Sequence, residues 1–354
     1  MKDRENVCVD ERSVAKKERN SSIELLRIIL MFFIVLSHCY RYRPYASESG
    51  ILKNFIQFTS VSNVMVDVFV LISGYYLCKK DFSLKKFVLL LLEVSFYSIV
   101  CYFVAIVCKT EKFSFKNFVI SIFPTTFRHY WFVWAYCALY LLSPFINKLL
   151  EVLTRRQFLS LMGVIFLVWC FLPLISTVNA DGMDIFILIF FYLVGAYLRI
   201  YPDNFFFEGK NGLWAFLIGY GLFMLSIIVL NFVGSKIAFL NHPTYFTTKH
   251  SVISILFAIG LFSLFVKMDF TNKFVNTVAS ATFGVYIIHN NGYMRSIIYE
   301  KIFTVSSVPS SLKLILYFIG ISAIIFVACV IVDLVRKYLL EKPISKLYDK
   351  IVKK

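Results

Sequence analysis

Acidic side chains are scarce in this sequence. Of its 354 residues only 21 are Asp or Glu, against 37 Lys or Arg, and charged residues of both signs make up 16%. Water-soluble domains carry about 25% charged residues. Too little charge is present to cover, in water, a chain that is 59% hydrophobic and holds 39 Phe. Long polar segments are also missing. The longest stretches between apolar runs, 41–61 and 109–129, exclude a soluble domain inserted among them. The eight Cys include no C-x-x-C pair and lie mostly inside apolar runs, so neither a zinc site nor a disulfide framework is expected, and no metal is assigned. The net charge of +16 lacks the basic stripe interleaved with aromatics that a nucleic-acid face needs, so no nucleic-acid partner is expected.

What is present is hydrocarbon. The mean hydropathy of +0.75 identifies an all-α polytopic membrane protein whose partner is the lipid bilayer. A span takes about 20 mostly apolar residues, which predicts about ten helices over 22–40, 62–78, 87–108, 130–150, 158–177, 184–200, 213–233, 250–267, 280–298 and 313–339. Residues 1–20 are polar and no small-residue cleavage site follows the first run, so that run is expected to be retained rather than removed as a signal peptide. Lys and Arg are about twice as frequent in the segments on the side of the two termini as in the opposite loops, which predicts cytoplasmic termini. The expected organisation is a basic N-terminal segment 1–21, one membrane domain 22–339 and a basic tail 340–354.

The first apolar run, SIELLRIILMFFIVLSHCY, carries Glu24, Arg27 and His38. Ten residues lie between Arg27 and His38. A helix turns about 100° and rises about 1.5 Å per residue, so the pair shares one face about 16 Å apart. An Arg within a span costs on the order of 2.5–3.5 kcal/mol on insertion scales and faces a protein interior or a wet cavity, unless it snorkels to the interface as an anchor. Glu24 is a partner for it on the same face.

An Arg, ten residues and a His on the first span resembles the signature of the integral-membrane acyltransferase family 3, which includes bacterial surface-glycan O-acetyltransferases. NVMVDVFVLISGYYL is similar to the family's second span, with Asp67, Phe69, Ser73, Gly74 and Tyr75 on the pattern. HYWFVWAYCALYLLSPFINKLL, FYLVGAYLR with Gly195, and TFGVYIIH ending in His289 resemble later segments, and the likeness runs over about 20–340. The resemblance implies transfer of an acyl group, usually acetyl, from cytoplasmic acyl-CoA as donor substrate to a hydroxyl of a surface or lipid-linked carbohydrate, by a multi-pass protein of a bacterial cell membrane, with no bound cofactor. In that reading Arg27, supported by Glu24, engages the donor, and His38 is the general base. The rival function is an exporter of a glycan or polar solute, with the same side chains lining a pathway.

Other polar residues carry two readings each. Asp67 is a functional acid within a span or the partner of an Arg. Ser73 with Gly74 brings helices close, an explanation preferred to a direct chemical part for Ser73. Arg128, His129, Tyr130 and Trp131 bind the acceptor sugar or form an aromatic and basic membrane belt. His289, with Asn290 and Asn291, interrupts its span, which requires partners in the bundle or a wet cavity, and it either helps bind the acceptor or is only satisfied there. Lys79, Lys80, Lys85 and Lys86 attract donor phosphates or serve only topology and anionic lipid.

Overall fold

The computed structural model describes residues 20–42, 61–175, 184–237, 242–248, 251–303, 312–341 and 343. Most of the expected basic ends and most of the 41–61 loop therefore lie outside the described residues. Those described are helical, with no strand among them. Among the described residues six candidate spans are long and apolar enough to cross a membrane: Ser21–Arg41, Leu84–Val107, Trp131–Val152, Asn211–Gly234, the span that ends with the helix Val252–Val266, and Ile315–Glu341. Two shorter apolar helices, Ser62–Leu77 and Ile185–Ile200, fall where spans 62–78 and 184–200 are expected.

The elements in chain order are α1 (Ser21–Arg41), α2 (Ser62–Leu77), α3 (Leu84–Val107), α4 (Phe115–Ile122), α5 (Trp131–Val152), α6 (Arg155–Phe166), α7 (Asp184–Ile200), α8 (Asn211–Gly234), α9 (Val252–Val266), α10 (Lys273–Ser280), α11 (Thr282–His289), α12 (Gly292–Arg295) and α13 (Leu312–Arg336). The expected span 158–177 is helical through residue 175 with a π turn inside it, whereas 280–298 is not a single helix. After α6 the chain passes through a π-helical turn, Leu167–Phe171, before Leu172–Ile175. Pro173 has no N–H and its ring clashes with the carbonyl four residues back, which a π turn relieves. The interruption within 280–298 follows α11. Asn291 caps the next helix by accepting from the Tyr293 N–H (2.9 Å), and the chain continues through α12 into a π-helical segment, Ser296–Ile302.

Helix α1 is the axis of the bundle and packs against α2, α9, α10, α11 and α13. Leu26, Leu30 and Val35 are completely buried along it, so apolar side chains fix its rotation. Its first turn is tied by polar contacts. The Ser21 hydroxyl accepts from the Asn272 N–H (2.7 Å) and lies 2.8 Å from Asn276 Oδ1, and the Asn20 amide donates to the Met268 carbonyl (3.0 Å). Rotation and height of the Arg27 and His38 face are thereby set from both sides.

Helices α2 and α7 meet backbone to backbone. A Cβ on Gly74 would lie 2.1 Å from the Tyr192 carbonyl oxygen, and one on Gly195 would lie 2.1 Å from that of Leu71. Small residues permit this approach in a setting where packing, more than the hydrophobic effect, holds helices together. Asn147 of α5 joins the pair, donating to the Leu77 carbonyl (2.9 Å) and accepting from the Tyr192 hydroxyl (2.7 Å). The preferred expectation for the Ser73–Gly74 step, a close helix approach, thus describes Gly74.

Candidate active site

Asn20, Ile23, Glu24, Arg27, Met31, Ile34 and His38 recur at steps of one, three or four residues on one face of α1, and all of them line a cavity of about 750 Å³. Its other walls come from α2, α3, α5 and α11. One end is polar, with Asn20, Glu24, Arg27, Lys80 and Glu93, while Met31, Ile34, Phe69, Ile72 and Phe132 make the middle apolar. Pockets for small ligands fall between about 300 and 1,000 Å³.

Arg27 is held by two side chains on the cavity wall. Its Nη1 donates to Glu24 Oε2 (3.0 Å) and its Nη2 to the Thr282 hydroxyl (3.4 Å). The guanidinium is held against α11 on the cavity wall. A guanidinium keeps further N–H groups in a planar fork and is suited to carboxylate or phosphate oxygens.

At the other end His38 Nδ1 lies 2.9 Å from His289 Nε2, and His289 Nδ1 lies 2.5 Å from the Val285 carbonyl oxygen. A carbonyl can only accept, so His289 carries its proton on Nδ1. In the neutral ring, His289 Nε2 then accepts, which places the proton of neutral His38 on Nδ1 and leaves the lone pair on His38 Nε2. The ring bearing that lone pair lines the cavity. Two histidines 251 positions apart thus form a directional relay. When Nε2 takes a proton, Nδ1–H still donates to His289, which steadies the imidazolium. This is the orientation a general base requires.

The turn after His289 is held firmly. Asn290 Oδ1 accepts from the Tyr42 hydroxyl (2.7 Å) and from Arg295 Nη2 (2.7 Å), and the Arg295 guanidinium lies over the Tyr42 ring at 4.0 Å. Asn291 donates to the Tyr130 hydroxyl (2.6 Å), and that hydroxyl donates to the Ile287 carbonyl (3.2 Å). Tyr130 is therefore a buried tie between α5 and α11 and does not line the cavity.

Its neighbours in the sequence separate. Trp131 lines the cavity. Arg128 lies over the Trp134 ring at 4.3 Å, and His129 stacks on Tyr293 at 5.8 Å. Burial first, and then the charge of Arg295, hold the His129 imidazole below its usual pKa. Ser73 lines the cavity, donates to the Phe69 carbonyl (3.0 Å) and lies 3.5 Å from the Tyr136 hydroxyl. Asp67, 1% exposed, is on another face of α2 near Cys170 and is absent from the cavity wall. Of the residues expected at the site, the cavity brings together Glu24, Arg27, His38, Ser73 and Trp131, with His289 directly behind His38. Tyr136, Thr282 and Tyr286, also on its wall, carry no sequence signal of their own, although Tyr136 lies within the HYWFVWAYCALYLLSPFINKLL segment and Thr282 and Tyr286 within TFGVYIIH.

A family model described as an acyltransferase domain, that of acyltransferase family 3, matches residues 20–334. The chain belongs to acyltransferase family 3. No curated protein and no solved structure gives a match. The match takes in α1 through most of α13, and so every helix that lines the cavity. Membership of acyltransferase family 3, together with the six long apolar helices, makes this a multi-pass membrane acyltransferase. Among the described residues no group of His, Cys, Asp and Glu is arranged to hold a metal ion.

Proposed function

We propose that the protein moves an acyl group, most simply acetyl, from acyl-CoA to a hydroxyl of a surface or lipid-linked sugar, and that both substrates meet in the α1 cavity. The observation that carries this reading is one continuous cavity with Arg27 near one end and His38 near the other. The donor enters at the end of Asn20 and Lys80, the cytoplasmic side in this reading, and its diphosphate lies at the Arg27 fork. From there the extended pantetheine arm covers the roughly 16 Å of helix rise to His38, through the apolar middle that suits its uncharged chain. The sugar hydroxyl approaches from the opposite face.

Transfer then proceeds by proton movement at His38. Its Nε2 takes the proton of the acceptor hydroxyl as that oxygen attacks the thioester carbonyl carbon. The tetrahedral intermediate collapses, the C–S bond breaks, and the imidazolium returns the proton to the leaving sulfur. Ester and CoA thiol are the products, and His38 is left as it began. No covalent acyl-enzyme is required by this route.

The test is incorporation of labelled acetyl from acetyl-CoA into a membrane glycan and lipid extract by the purified chain. An exporter would move its cargo without consuming thioester. Arg27→Lys keeps the charge but loses the planar fork, so the KM for acetyl-CoA is expected to rise about tenfold, roughly one bidentate contact, with kcat less affected. Unchanged donor KM in Arg27→Lys would contradict the assignment of Arg27 to the donor.

A further inference from the structure

The hydroxyl groups on the cavity wall are unequal. Ser73 donates to the Phe69 carbonyl (3.0 Å), Thr282 donates to the Ala279 carbonyl (2.9 Å), and Tyr136 is within 3.5 Å of Ser73. Tyr286 is different. It lines the cavity and is only 6% exposed, yet its hydroxyl has no hydrogen-bonding partner of normal geometry among the described residues. The polar neighbour toward which it lies is Asn290, whose carbonyl oxygen is already engaged by Tyr42 and Arg295. What Asn290 still offers is N–H, which can only donate to the phenolic oxygen. The phenolic proton therefore has nowhere to go within the wall.

A buried hydroxyl left without an acceptor costs about 1–3 kcal/mol. Such a cost is unusual in a folded interior and marks a group that awaits a partner. The ring itself is well packed. It meets Phe132 edge-on at 5.7 Å and Tyr130 at 6.2 Å, and its plane is nearly perpendicular to that of His289 at 6.3 Å. It stands one helical turn before His289, the residue that orients His38. A fixed donor on the wall of the same cavity as His38, uncommitted in the resting protein, has the features of a group that stabilises an oxyanion.

We infer that Tyr286 is a further catalytic residue, donating its phenolic hydrogen bond to the thioester carbonyl oxygen as that oxygen becomes negative. The inference rests on the acyltransferase reading above. As the acceptor oxygen bonds to the carbonyl carbon and His38 Nε2 takes its proton, the carbonyl π pair moves onto oxygen, and Tyr286 donates to that anion without giving up its proton. When the C–S bond breaks, the pair returns to form the ester carbonyl. The sulfur takes the proton from His38, and the Tyr286 contact weakens again. Because the donor is needed most in the transition state, its loss falls on kcat.

The experiment compares the full-length wild-type chain with Tyr286→Phe, using labelled acetyl-CoA and the same membrane glycan and lipid extract. The substitution keeps the ring and its packing, so it removes the hydroxyl alone. The expected result is a kcat lower by about 10²-fold, a KM for acetyl-CoA within about twofold of wild type, and a melting temperature in detergent equal to wild type or higher. Wild-type kcat in Tyr286→Phe, or a loss seen in KM or melting temperature alone, would overturn the inference. Failure of the wild-type chain to incorporate any acetyl is a separate outcome, which would overturn the acyltransferase reading and this inference with it.

Discussion

Replacing His38 by Ala is expected to lower acyl transfer by about 10²–10⁴-fold, the contribution of a positioned general base, while binding of acyl-CoA is retained. The separation of the two effects follows from the cavity. His38 lies about 16 Å along α1 from Arg27, and the contacts of Arg27 are to Glu24 and Thr282, none of which touches the histidine pair. The side chain of His38 is not needed to hold α1, whose rotation is fixed by the buried Leu26, Leu30 and Val35 and by the ties at Asn20 and Ser21. A folded protein that binds donor and does not turn over is therefore the predicted product. Direct binding of acetyl-CoA by calorimetry, beside the incorporation assay, separates it from a misfolded one. Full activity in His38→Ala would remove the proposed base.

Replacing Arg336 by Leu is expected to destabilise the protein by about 3–5 kcal/mol, the cost of removing one member of a buried ion pair. Arg336 is 8% exposed and faces three carboxylates: Asp333 (Nε to Oδ1, 2.9 Å), Glu93 (Nη2 to Oε1, 3.0 Å) and Glu341 (Nη2 to Oε2, 3.0 Å). Asp333 is completely buried and also accepts from the Tyr97 hydroxyl (2.8 Å). Without Arg336, Lys337 at 3.3 Å from Asp333 is the remaining cation of the group. Like charges in a medium of low dielectric repel far more strongly than in water. The damage would reach the active site through Gly284, where an added Cβ would lie 2.4 Å from Asp333 Oδ1, so that the network packs directly against α11. That helix carries Tyr286 and His289. Thermal unfolding in detergent measures the loss, and exchanging Arg336 and Asp333 together for Leu should recover part of it, because an apolar pair leaves fewer uncompensated charges. A single Arg336→Leu protein as stable as wild type would show the network to be dispensable.

Much of the site was legible in the sequence because helical periodicity is local. Arg27 and His38 had to share a face if their segment was helical, and Glu24 had to be near Arg27. The motifs on α1, α2 and α11 pointed to the family that the domain match establishes. Relations between distant segments were not legible. His289 stands in the sequence as an interruption of its span, but nothing local indicates that its ring accepts the His38 hydrogen bond, or that Val285 fixes its tautomer. Asp67 shows the reverse. An acid within a span is costly wherever it points, and one residue of helix rotation separates Val66 on the cavity wall from Asp67 outside it. Tyr130 reads from the sequence as an acceptor-binding or belt residue, yet its hydroxyl is committed to Asn291 and Ile287. The helix expected at 158–177 carries a π turn just before Pro173, and the one expected at 280–298 is interrupted at Asn290 and Asn291, where hydropathy averages hide the local loss or capture of backbone hydrogen bonds. The Glu93, Asp333 and Arg336 network joins α3 to α13 and its continuation, and no one segment announces it.

The central claim is that donor and acceptor reach one cavity from opposite faces of the membrane. It is tested most directly by vesicles in which the chain has a single known orientation, with labelled acetyl-CoA added to one face at a time. Thioester consumption is predicted when acetyl-CoA is offered at the face of Asn20 and Lys80, and none when it is offered at the face of His38. Equal consumption from both faces, or consumption from the His38 face alone, would contradict the account.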